Sequence, residues 1–115
     1  IDRGALLIAD DQVRLTLRDR AISLSHTGSM AGLIEIRGVG PCTVPHLEQA
    51  PFQLAILCDT PPERMPSAEH RRWLGIEIPA LRLAALEASA PVKLEWALRA
   101  MVDGACTAFK ERLIR

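Results

Sequence analysis

The hydrophobic periodicity of this chain changes once, near residue 89, and that change limits what it can fold into. Before it, apolar residues come in short runs or strict alternations broken by Gly, Pro and Asp. After it, Leu94, Ala97, Leu98, Met101, Val102, Ala105, Cys106, Phe109 and Leu113 recur at three- and four-residue spacing. That spacing predicts an amphipathic helix with one apolar face. Ser89 stands where an N-cap is wanted, and Pro91 is tolerated in a first turn. Gly104 weakens the middle of this helix by about 1 kcal/mol relative to Ala. Strands followed by one long terminal helix define a mixed α/β domain with a largely antiparallel or mixed sheet.

The strand region can be read segment by segment. Residues 5–9 are uniformly apolar and predict a buried strand delivering Asp10 and Asp11 to its end. Residues 13–18 and 21–25 alternate apolar with polar around Asp19-Arg20, the pattern of a hairpin with one wet face. Residues 26–32, with Gly28 and Gly32, form a loop. Residues 33–37 predict a strand whose outward residues include Glu35 and Arg37, and residues 38–41 a tight turn built on Gly38 and Gly40. A second buried strand is expected over residues 52–57, ending at Cys58-Asp59. Residues 60–66 hold three prolines and must be a surface loop, which carries Arg64. Residues 76–83 are strand-like, with Pro79 implying an edge or a bend.

The 115 residues suit one domain, and 49% hydrophobic with 24% charged residues makes it globular. A net charge of zero argues against a nucleic-acid footprint. The cations are almost all Arg, with Lys only at Lys93 and Lys110 in the expected last helix. Cys42, Cys58 and Cys106 are odd in number and never in a C-x-x-C pair, which fits small buried thiols in a reducing compartment. No apolar run approaches bilayer length and no signal peptide is present, so a soluble cytoplasmic protein without membrane partners is expected. Ile1-Asp2-Arg3-Gly4 reads as the last turn of a helix closed by glycine, which implies further residues upstream of Ile1.

Two segments carry the candidate chemistry. Asp10-Asp11 could be a metal or general-base pair, or strand-end carboxylates that start a turn. Glu35 could ligate Mg²⁺ and Arg37 hold a phosphate beside the N–H groups of Gly38 and Gly40, or Glu35 and Arg37 are a solvated charge pair. Arg64 could be a cation reaching a substrate, or a solvated loop arginine. His26, His46 and His70 lack metal-ligand spacing and are read as non-catalytic. Cys42, beside Pro41, is read as a buried small residue and not as a reactive thiol. Trp73 and Trp96 are read as core or interface anchors. A phosphate-cradling G-x-x-x-x-G-K-[ST] does not occur in these residues.

The order of these elements resembles the catalytic domain of bacterial HPr kinase/phosphorylase, in the short alphaproteobacterial form. The resemblance rests on Ile1-Asp2-Arg3-Gly4, Leu7-Ile8-Ala9-Asp10-Asp11, Ile34-Glu35-Ile36-Arg37-Gly38-Val39-Gly40 and Glu63-Arg64-Met65-Pro66, with Leu86-Glu87-Ala88-Ser89-Ala90-Pro91 as a softer fifth stretch. It implies a P-loop kinase-like mixed sheet with a long C-terminal helix, seen without the first strand and P-loop helix that the family places just upstream. It implies ATP- and Mg²⁺-dependent phosphorylation of a serine on HPr, the reverse phosphorolysis with inorganic phosphate, and a homo-oligomer, hexameric in the family. By position, Asp11 resembles the proton acceptor for the seryl hydroxyl, Glu35 the Mg²⁺ ligand with Asp10 as neighbour, and Arg64 a catalytic arginine. Arg37, Gly38 and Gly40 match the family's signature segment.

Three departures shape the expectation. The P-loop and the histidine upstream of it lie outside this sequence. Pro41-Cys42-Thr43 replaces the usual Ile-Ile-Asn. The arginine-rich loop that serves dephosphorylation in longer members is replaced by Ala84-Ala85-Leu86-Glu87-Ala88-Ser89, which favours the kinase direction. Two other readings stand beside the kinase: a non-catalytic module that docks a phosphocarrier or sensor protein, and an oligomer-building domain with the Trp-bearing surfaces as interfaces.

Overall fold

Local chemistry sets most of the element boundaries in the computed structural model, which describes residues 1–28 and 30–103. The order is β1 (Val13–Arg18), β2 (Ala21–His26), β3 (Leu33–Ile36), β4 (Gly40–Thr43), β5 (Gln49–Pro51), β6 (Ala55–Leu57), β7 (Glu69–Trp73), β8 (Ile76–Arg82) and α1 (Ala90–Asp103). This is the mixed α/β class that the change of period predicts, with the strands distributed over three small sheets. The chain divides into two compact units, the first Ile1–Phe52 and the second beginning at Gln53.

In the first unit, β2 is the centre of an antiparallel sheet ordered β1-β2-β5. The predicted hairpin is present, with Val13 opposite His26 and Arg18 opposite Ala21. Asp19 and Arg20 both take positive φ, 50° and 63°, as a two-residue turn of the primed type requires. Ile22 on β2 is the buried anchor, at 3% exposure. β3 and β4 form a separate antiparallel pair. The turn between them is two residues earlier than the glycines suggest. Val39 N–H donates to the Ile36 carbonyl at 2.9 Å, and Gly38 takes φ 85° at the third turn position, where type II turns favour Gly. Gly40 and Pro41 therefore begin β4.

Residues 5–9 do not form the expected buried strand. They make one parallel bridge, Leu7 to His46, with Leu7 N–H donating to Pro45 and its carbonyl accepting from Leu47. A strand needs a ladder, and among the described residues this segment has a single rung on one edge; Leu7 to Ala9 are half-buried. The expected strand over 52–57 is also divided. Phe52 N–H donates to the Ile22 carbonyl and belongs with β2, whereas Ala55 to Leu57 pair with β8 in the second unit.

The second unit is a mixed sheet, β6-β8-β7, with α1. β7 and β8 are antiparallel across a Leu74-Gly75 turn with φ 49° and 77°, and β6 joins β8 in parallel. Pro79 thus lies in the central strand and not at an edge. β6 pairs with β8 from Ala80 onward, so Pro79 precedes that ladder, where β8 still has one open side. Helix α1 begins after Ser89, whose carbonyl accepts from Lys93 N–H at 3.0 Å, the N-cap pattern. Its hydroxyl turns to Glu87. Ala97 and Ala100 are the buried residues of the helix face, packed with Leu54, Leu81 and Met101. The predicted stripe is rotated: Leu98 and Val102 are exposed, as is Trp96, over which Arg99 stacks at 4.6 Å. The predicted helix residues beyond Asp103, with Gly104 and Cys106, lie outside the described residues. Of the cysteines, Cys42 is half-buried and Cys58 exposed, so the expectation of buried thiols does not hold for these two.

Two stability measurements follow from this packing. Leu74→Asn places a residue that tolerates positive φ at an exposed turn position and should stabilise by about 0.5–1 kcal/mol in urea unfolding. Ala100→Leu inserts three carbons at a site with 0% exposure, and overpacking should cost about 1–3 kcal/mol in the same experiment.

Candidate active site

The first unit contains a cavity of about 300 Å³. Asp10, Asp11 and Gln12 line it from the segment after the Leu7 bridge, and Ile34 and Glu35 from β3. His26 and Thr27 add the end of β2. The two motifs meet through one bond: Glu35 N–H donates to Asp10 Oδ2 at 2.9 Å. A backbone donor on an ionised carboxylate makes a charge-assisted hydrogen bond, stronger than a neutral one. It leaves the second oxygen of Asp10, the Asp11 carboxylate and the Glu35 carboxylate around the same space.

Arg37 and Gly38 lie at the exposed β3–β4 turn and half-buried Gly40 opens β4; none of the three lines the cavity. Arg64 belongs to the second unit, exposed on the loop between β6 and β7. The structure thus brings Asp10, Asp11 and Glu35 together, with Arg37 on the turn that follows them. Chemically, a carboxylate lining a small cavity can take a proton from a hydroxyl, and one or two can offer hard oxygen donors to a divalent cation whose other ligands come from phosphate and water. No group of three or more His, Cys, Asp or Glu able to hold a metal occurs among the described residues.

His26 has a part that spacing alone missed. Ser25 pairs with Gln49, so His26 and Glu48 are the next facing pair, and His26 Nε2 hydrogen-bonds Glu48 Oε2. Its Nδ1 accepts Gly28 N–H at 3.0 Å, which assigns the ring proton to Nε2. Both nitrogens are occupied, and the ring fastens the cavity wall without acting as a base. His46 lies 3.6 Å from the other Glu48 oxygen and packs on Gly32, where an added Cβ would come within 2.7 Å of its Nδ1. The only sequence signal for this cluster is the β2–β5 register, and β5 has no alternation to reveal it.

The hydrogen bond from His26, and that ring's charge when protonated, hold the Glu48 carboxyl below its ordinary range. A lowered carboxyl contributes stability above its unfolded value and loses it as pH falls through its folded value. The difference in unfolding free energy between wild type and Glu48→Gln should therefore shrink as pH drops below the ordinary Glu value of 4.5. Urea titrations at stepped pH would measure it, and a constant difference would exclude the charge on Glu48 as its source.

No protein-family model matches the chain, and no curated protein matches it. Among solved structures its fold, a mixed α/β arrangement with a C-terminal helix, does find a match. The match is to the Hpr(Ser) kinase/phosphatase from Coxiella burnetii, with a TM-score of 0.71 and 22% identity. The similarity covers 85% of this chain and 72% of that one. No helix among the described residues is long and apolar enough to cross a membrane.

Proposed function

We propose that this chain belongs to an ATP- and Mg²⁺-dependent serine kinase of the phosphocarrier protein HPr, also capable of phosphorolysis with inorganic phosphate. The observation that carries the reading is the bond from Glu35 N–H to Asp10, 2.9 Å, which draws both acidic motifs onto one cavity. It does so in a fold shared with an Hpr(Ser) kinase/phosphatase. The same reading makes residues 1–115 one catalytic domain of a cytoplasmic homo-oligomer, hexameric as the resemblance implies.

Phosphoryl transfer needs positioning and charge neutralisation more than covalent help. Asp11 takes the proton from the seryl hydroxyl as its oxygen bonds to the γ-phosphorus and the bond to ADP breaks. In the reverse direction Asp11 returns that proton to the serine. Glu35 and the second oxygen of Asp10 would hold Mg²⁺, which supplies charge neutralisation on the phosphates. The donors are all hard oxygens, and one or two carboxylates suffice where phosphate and water complete the shell. Arg37 offsets charge on the transferring group, with the N–H groups of Gly38 and Gly40 available to phosphate oxygens.

The test is transfer from Mg-ATP to HPr by the protein expressed from its full reading frame, with phosphoserine read by mass spectrometry. Wild type should phosphorylate HPr. Asp11→Asn should lower kcat by about 100-fold or more while ATP still binds. Unchanged turnover in that variant would remove Asp11 from the proton-acceptor role. Wild-type protein that binds HPr but transfers nothing would overturn the kinase reading in favour of a docking module.

A further inference from the structure

The hairpin of the first unit leaves one side of β1 open. In the order β1-β2-β5, β1 is an edge, and among the described residues no strand pairs with its outer side. The register settles which backbone groups face outward. Phe52 N–H donates to the Ile22 carbonyl, so Ile22 turns its backbone toward the β5 side of β2. Leu17 lies opposite Ile22 in a pair that exchanges no ladder bonds, and its N–H and carbonyl point away from β2. The alternation puts the backbone groups of Leu15 and Val13 on the same open side.

The side chains along this edge are sorted by face, because residues directly opposite one another share one. Arg14, Thr16 and Arg18 lie opposite Ser25, Ser23 and Ala21 and make the polar face. Both arginines are exposed, and neither forms an ion pair among the described residues. At 3.4 Å per residue they stand about 14 Å apart along the strand. On the other face Val13 and Leu17 are 45% and 47% exposed, on either side of half-buried Leu15. Charge on an edge strand repels strands of like charge. In an antiparallel pairing with a second β1, Arg14 and Arg18 would stand opposite or diagonal to the same arginines of the other copy, which is unfavourable. A strand that alternates acidic with apolar residues meets no such repulsion and matches both faces.

We propose that the open edge of β1 takes an extended acidic segment of a partner protein as an added strand, with acidic residues facing Arg14 and Arg18 and apolar residues facing Val13, Leu15 and Leu17. Main-chain bonds to the outward groups of Val13, Leu15 and Leu17 hold the segment, and the alternating side chains select it. The test uses the full-length protein and a labelled, end-blocked peptide of seven residues alternating Glu with Val, followed by fluorescence anisotropy. This peptide should bind at least about tenfold more tightly than its counterpart of Lys and Val. Arg14→Glu combined with Arg18→Glu, both at exposed positions, should invert that preference, which a misfolded protein would not do. Methylating the peptide's Val backbone nitrogens, which donate to β1 in this pairing, should weaken binding about tenfold. Methylating its Glu nitrogens, which face away, should leave binding unchanged. Equal affinity for the two peptides, no binding of either, or equal loss from both methylations would overturn strand addition. A dimer of the peptide-free protein that Leu17→Pro dissociates would also overturn it, by giving the edge to a second copy.

Discussion

The bond between Asp10 and the backbone N–H of Glu35 is the constraint on which the first unit's cavity depends. Glu35 faces Pro41 across the β3–β4 pair. Its N–H points away from β4 to the Asp10 carboxylate. The facing pair is therefore one that exchanges no ladder bonds, and the N–H that Pro41 lacks is not required there. One carboxylate thus covers the outer edge of a two-stranded sheet that would otherwise leave that donor to water. It also holds the segment after Leu7 against β3, so that Asp11 and Glu35 share a cavity.

The same bond shows what was legible in the sequence and what was not. Short-range signals were sound. The hairpin around Asp19-Arg20, the loop with Arg64 and the start of the helix after Ser89 all follow from turn chemistry and period. Errors arose where a neighbour decides. Residues 5–9 look like a buried strand because they are apolar, yet their single rung leaves them half-buried. Residues 52–57 read as one strand, but their hydrogen bonds go to different partners in different units. In α1 the expected stripe holds at Ala97 and shifts to Ala100, while Leu98 and Val102 stay exposed, because the face that packs is set by Leu54 and Leu81 of other segments.

The site was legible to the same degree. Asp10, Asp11 and Glu35 could be picked out by residue type and position, and their meeting needed the fold. Glu48 and Arg82 carry no motif. Each bonds a partner, 22 and 23 residues away, His26 and Asp59, that becomes a neighbour only by strand register. Bonds of that kind leave little local trace in a chain.

The parallel pairing of β6 with β8 also bears on the order in which the second unit assembles. β7 and β8 close locally through a two-residue turn, whereas Ala55 must wait for Ala80 across the intervening hairpin. Non-local pairing bears the entropy of loop closure before it returns any contacts, so it comes late. The Arg82–Glu69 bond, 13 residues apart, lies inside the hairpin, and the Arg82–Asp59 bond, 23 apart, reaches the segment after β6. Arg82 therefore bonds both within its own hairpin and to the segment that follows the strand joined in parallel.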